Sequence, residues 1–216
     1  MMQIILGVKT DLFFDMILHL GTLCVIGVKF RDDIWRIIID LVQGRLRSES
    51  ARTGMLVVSG SVPTALIGFA FHEHFRASFT DLSVIGTAFA TSGLVLHLSK
   101  KLIPGERRTL GFSDSILIGV AQGVSIIPGI SRSGLTISTG ILLGLKREDA
   151  FKYSFLLSVP AISGAAFLEV ASQPSIQVDC IGSLVGFIVA ALVGYASLSS
   201  LWKIVERDRL QYFGYY

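Results

Sequence analysis

The sequence predicts an all-α polytopic membrane protein: an inverted-repeat helical bundle with a re-entrant helix-loop-helix hairpin at about 113–145, forming a single integral membrane domain over 1–216. Three observations predict it. The chain is 51% hydrophobic and 16% charged, with a mean hydropathy of +0.66, whereas soluble domains carry about 25% charged residues. Several apolar runs approach the roughly 20 residues that a spanning helix needs, which a single anchor on a soluble domain would not explain. One apolar region, 113–145, is too long for one span and is broken near its middle by Pro128, Gly129 and Gly134, residues that leave two half-length arms.

The elements follow in order. The first apolar run, about 11–29, lacks a basic leader and a small-residue cleavage site, so it reads as a retained helix rather than a signal peptide. Asp33, Arg36, Asp40 and Gln43 then recur at helical spacing opposite Ile and Leu residues, with Trp35 nearby, which describes a short interfacial helix. Spans are expected at about 54–71, 81–98, 150–170 and 181–202, on either side of the broken region. Cys24 and Cys180 form no CxxC pair and suggest neither a disulfide nor a metal site.

Loop charges set the expected topology. Lys29, Arg31, Arg36, Arg45, Arg47 and Arg52 make the first loop basic, and Lys100, Lys101, Arg107 and Arg108 do the same for the third, so both should be cytoplasmic. The connections 72–80 and 172–179 hold one cation, Arg76, and should face outward. Arg107 and Arg108 precede the broken region and Lys146, Arg147 and Lys152 follow it. Both of its ends then belong to the cytoplasmic side, and PGISRSG becomes the tip of a re-entrant hairpin. The net charge of +3 reports this topology, and nucleic acid is not an expected partner.

A repeat is also visible. LGVKTDLFFDMILHLGTLCVIG, from Leu6, aligns without gaps on LGLKREDAFKYSFLLSVPAISG, from Leu143. With Lys9 outside and Lys146 inside, the copies have opposite orientation, the plan of many transporter-like folds.

The chemistry concentrates at IIPGISRSGLTIS, Ile126 to Ser138. An unpaired arginine at membrane depth costs at least ~2.5 kcal/mol, so Arg132 should line a polar cavity or bind a partner. A helix restarting near Ser133, capped by Ser131 or Ser133, would aim free N–H groups and its positive end into the same space. Gly129 and Gly134 would let backbone approach a ligand, Thr136 adds a hydroxyl, and a guanidinium grips two phosphate oxygens at once. Gln122, on the first arm, either faces the same cavity or bonds to backbone. The competing reading pairs Arg132 with a buried carboxylate. Asp15 and His19, one turn apart, read more readily as a structural pair than as catalysts, and His72, Glu73 and His74 as solvated loop residues rather than a metal site.

GVAQGVSIIPGISRSGLTIS followed by KREDAFKYSFLLSVPAISGA resembles the undecaprenyl-diphosphate phosphatase family, integral membrane enzymes linked to bacitracin resistance. The similarity extends to FFDMILHLGTL and RLQYFGYY. It implies hydrolysis of undecaprenyl diphosphate to the monophosphate, which recycles the carrier lipid for cell-wall synthesis, by a multi-pass protein of the plasma membrane surrounded by membrane lipids. Ser131, Arg132 and Thr136 match family positions that bind or cleave the diphosphate, and Ser133, Gly129 and Gly134 shape the loop. The resemblance also implies a divalent cation, Mg or Ca. Its ligands in the family, two glutamates four residues apart and the histidine of a Ser-Ser-x-Gly-His run, have no match in this chain, and the family's N-terminal hairpin and final helix are expected to be missing. A transporter of a lipid phosphate or small anion, and a truncated paralogue that binds lipid diphosphate without turnover, remain alternatives. Association into homo-oligomers is left open.

Overall fold

The computed structural model describes residues 12–71, 73–74, 78, 81–98, 105–172 and 180–207. Among them run eight long helices: α1 Leu12–Lys29, α2 Arg31–Val42, α3 Glu49–Ala70, α4 Leu82–Leu98, α5 Phe112–Val124, α6 Arg132–Leu142, α7 Arg147–Ser172 and α8 Cys180–Glu206. No strand is formed by the described residues. Each expected span coincides with a helix, and the broken region becomes the pair α5 and α6. Connection 173–179 and most of 72–80, expected to face outward, lie outside the described residues, as do His72 and the side chain of Asp15.

Among the described residues three helices are long and apolar enough to cross a membrane, over Glu49–Ala70, Arg147–Leu168 and Ile181–Glu206. Pro63 and Pro160 are accommodated inside α3 and α7, as proline is in membrane helices whose neighbours satisfy the freed carbonyls. α2 buries none of its residues and leaves Trp35 exposed, which suits a helix lying at an interface.

α7 packs on α1, α3, α6 and α8, and α5 packs on α3. The core gathers Ile118, Ile137, Leu145, Phe151, Tyr153 and Leu157. Phe151 stacks edge-on to Trp202 with ring centroids 4.9 Å apart, and Tyr153 donates its hydroxyl to the Leu56 carbonyl at 2.7 Å. At Gly119 a Cβ would stand 2.0 Å from the Gly60 carbonyl oxygen, so α3 and α5 meet backbone to backbone. Small residues permit such approach where lipid supplies no hydrophobic drive between helices.

Phe30, just past α1, contacts Phe151 and Phe155 in the first turns of α7, with centroids 6.3 and 6.2 Å apart. α1 therefore ends where α7 begins, and the described parts of the two sequence copies run in opposite directions.

Arg107 ties the two ends of the hairpin together. Its N–H donates to the Gly144 carbonyl at 3.2 Å, and its carbonyl accepts from Lys146 N–H at 2.9 Å. Its guanidinium donates to the Leu143 carbonyl at 3.0 Å and pairs with Asp114 at 2.6 Å. Gly144 has φ +86 and only an open contact to a built Cβ, so glycine there closes α6 with no steric cost. Arg52 donates to the Leu110 carbonyl at 2.9 Å, and Lys152 bonds Asp33. The basic first loop and the mouth of the hairpin thus share one end of the bundle. α5 and α6, about 20 and 17 Å long at 1.5 Å per residue, are each short of the roughly 30 Å hydrocarbon core.

Candidate active site

The tip begins where α5 stops. Ser125 caps α5 and its hydroxyl donates back to the Gln122 carbonyl at 2.7 Å. Successive turns carry the chain through Ile126, Ile127 and Ile130, and Ser131, in extended conformation, becomes the N-cap of α6 with its Oγ accepting from Gly134 N–H at 3.2 Å. The helix therefore restarts at Arg132. Gly129 has φ +102, and a Cβ there would lie 2.8 Å from the Ile85 carbonyl oxygen; the tip needs glycine both for its backbone and for its fit against α4.

Gly134 differs from expectation. It sits in the first turn of α6 instead of interrupting the helix, because the cap, Ser131, lies three residues before it and the helix already runs from Arg132. Its missing side chain is spent on packing: a Cβ would meet Leu96 Cδ2 at 2.7 Å and Ser131 Oγ at 2.8 Å.

Arg132 is half-buried, and no described residue forms an ion pair or hydrogen bond with its guanidinium. The buried-carboxylate reading finds no partner among the described residues. Asp114, the buried acid of the hairpin, is engaged by Arg107 and by Gly111 N–H at the opposite end. The amides of Arg132 and Ser133 reach no acceptor among the described residues, and neither the Ser131 nor the Ser133 hydroxyl donates to one. Five donors thus lie on three consecutive residues at the positive end of a helix, a set suited to an oxyanion.

Two of the expected residues lie deeper. Thr136 is buried, bonds the Arg132 carbonyl at 2.8 Å and shares a 2.6 Å hydrogen bond with Ser154 of α7. It anchors the first turn of α6 to α7 directly behind the donors. Gln122 is also buried, and its amide donates to the Leu157 carbonyl at 3.3 Å, the backbone-bonding alternative. Its Oε1 has no described partner.

Sequence reasoning missed Ser92. Its Oγ accepts from Ser131 N–H at 2.9 Å, tying the middle of α4 to the tip. A serine inside an apolar run was the available signal, but nothing local names its partner. Phe89, Ser92, Gly93, Leu96, Gly129, Ile130 and Ser131 surround a pocket of about 200 Å³.

A divalent cation is not fitted by these residues. Hydroxyls, amides and a guanidinium are donors, poor first ligands for a hard cation that wants carboxylate or carbonyl oxygen, and among the described residues no three His, Cys, Asp or Glu side chains group together.

Among the described residues, an all-helical bundle with helices long and apolar enough to span a membrane, and a donor-rich break between two half-length helices, defines a membrane protein whose helical body contains an arrangement suited to an oxyanion. The sequence profile of the family described as Bacitracin resistance protein BacA matches residues 1–216, and the chain belongs to that family. It is 40% identical to an undecaprenyl-diphosphatase of Carboxydothermus hydrogenoformans, over 100% of this chain and 83% of that protein. It is 34% identical to those of Methanosphaera stadtmanae, over 98% of this chain and 83% of the relative, and of Korarchaeum cryptofilum, over 100% and 85%.

Proposed function

We propose that this protein is a multi-pass enzyme of the plasma membrane that hydrolyses undecaprenyl diphosphate to undecaprenyl phosphate and inorganic phosphate, returning the carrier lipid to cell-wall synthesis. Its relatives carry the name of that activity. The observation that carries the reading is the set of uncommitted donors at Ser131, Arg132 and Ser133.

Cleavage of the anhydride attaches water oxygen to the terminal phosphorus and breaks the bond from that phosphorus to the bridging oxygen, which leaves with the prenyl monophosphate. Charge is spread over the phosphoryl oxygens in that transition state, so positioning and electrostatic stabilisation do most of the work. Arg132 neutralises this charge. The Arg132 and Ser133 amides and the two serine hydroxyls supply hydrogen bonds from positions already set by the α6 cap. No described carboxylate or imidazole is hydrogen-bonded to Ser131 Oγ, so Ser131 is assigned as a donor to phosphate, the adjacent base that activates a nucleophilic serine not being among the described residues. Thr136 acts from behind, holding the Arg132 turn against Ser154.

The basic loops gather at the mouth of the hairpin, and lysine and arginine mark the cytoplasmic side. The tip meets Ile85, one turn from the opposite end of α4. In this reading the hairpin enters from the cytoplasmic side and holds the diphosphate toward the outer leaflet.

Phosphate release from undecaprenyl diphosphate by the purified protein in detergent tests the assignment, with sustained turnover the expected result. Movement of the intact lipid across vesicle membranes without phosphate release would replace hydrolysis by transport. Binding with neither would make the protein a carrier of the lipid.

A further inference from the structure

Among the described residues α4 packs chiefly against α6 and the tip, yet it carries four hydroxyls. Thr87 and Thr91 donate back to the carbonyls of Ser83 and Thr87 at 2.9 and 2.8 Å, the usual arrangement for hydroxyls in apolar helices. Ser92 departs from it. Only 8% exposed, it accepts from Ser131 N–H, and its own proton goes to no described residue. A buried donor without an acceptor is costly, and this one borders the pocket it shares with Ser131. Accepting one hydrogen bond also polarises the hydroxyl toward donating another.

The pocket has two characters. Ser92 and Ser131 supply its polar side, and Phe89, Leu96 and Ile130 its apolar side. At about 200 Å³ it is smaller than the roughly 300–1,000 Å³ that encloses a drug-sized ligand. It can hold the junction between a charged head and a hydrocarbon chain, with the remaining chain in lipid.

We propose that Ser92 is a substrate-binding residue: its hydroxyl donates to an oxygen of the lipid diphosphate beside Ser131, while Phe89 and Leu96 receive the first isoprenyl carbons. This rests on the prenyl-diphosphate reading above. It gives α4 a functional place as the second wall of the site, joined to the hairpin tip through Ser92 and bordering the same pocket.

The test uses the purified full chain with farnesyl diphosphate as substrate, and a non-hydrolysable farnesyl methylene-bisphosphonate as ligand in thermal-shift titrations. Ser92→Ala should raise KM and weaken analogue binding about tenfold, the scale of one hydrogen bond to a charged oxygen. Ser92→Thr, which keeps the hydroxyl, should recover most of both, and Thr91→Ala, on the exposed face of the same helix, should change neither. Unchanged KM and analogue affinity in Ser92→Ala would overturn the proposal. Equal losses in the Ala and Thr variants, with a lower melting temperature of the unliganded protein, would reduce Ser92 to packing and overturn it as well. Ser92-dependent analogue binding by a wild-type chain that releases no phosphate would uphold this site while removing the hydrolytic assignment; no binding at all would remove both.

Discussion

Arg132 can carry function because nothing in the described fold consumes it. A guanidinium that held the helices together would be expected to have a carboxylate or carbonyl partner, and none of the described residues provides one. Arg132→Ala should therefore leave expression and melting temperature near wild type while phosphate release falls on the order of 100-fold, as when a principal oxyanion donor is removed. Arg132→Lys should fall comparably, since a point charge does not reproduce the planar fork. Near-normal turnover in Arg132→Ala would show the charge to be structural. Gly129 behaves oppositely. With φ +102 and the Ile85 carbonyl 2.8 Å from a would-be Cβ, Gly129→Ala should cost about 1–3 kcal/mol, seen as a lowered melting temperature together with lost activity.

The hairpin is the element that turns this chemistry into a site. Its arms are held at the mouth by Arg107, whose guanidinium reaches both Leu143 and Asp114, and at the tip by Ser92 and by the Thr136–Ser154 pair. Asp114→Ala should destabilise the protein by about 1.5–3 kcal/mol, the range for hydrogen bonds to a charged group, and should expose the segment before α5 to limited proteolysis. An unchanged proteolytic pattern and melting temperature would show that the backbone bonds between Arg107, Gly144 and Lys146 hold the mouth alone. Legibility within this element was uneven. A serine cap, at Ser131 or Ser133, and the break at Pro128 and Gly129 follow from local backbone chemistry, so they could be read along the chain, and the structure selects Ser131. Gly134 was read as part of the break because its packing partner, Leu96, is remote in sequence.

At the scale of the molecule, the described basic segments around Arg52, Arg107 and Lys152 share one end of the bundle and the tip approaches the other. Single cysteines introduced near Ser48, at Arg107 and at Arg147, after replacement of Cys24 and Cys180, should react with an impermeant thiol reagent from the same side of the membrane. Labelling of the Arg107 and Arg147 positions from opposite faces would eliminate a hairpin that enters and leaves on one side.

The helix positions, the broken hairpin, the opposed copies and the donor-rich tip were all legible in the order of residues, because hydropathy, helix capping, proline and loop charge act over a few neighbours at a time. The partners of those residues were not. Ser92 and Ser131 are 39 positions apart, and Gln122 and Leu157 are 35 apart. Thr136 carries no local mark that sends its hydroxyl to Ser154 instead of a ligand. Those pairings depend on how helices cross and how closely glycines such as Gly60 and Gly119 let them approach. A hydrogen bond between distant segments requires its donor and acceptor atoms to be brought within about 3 Å, and that distance is set by packing of the whole bundle.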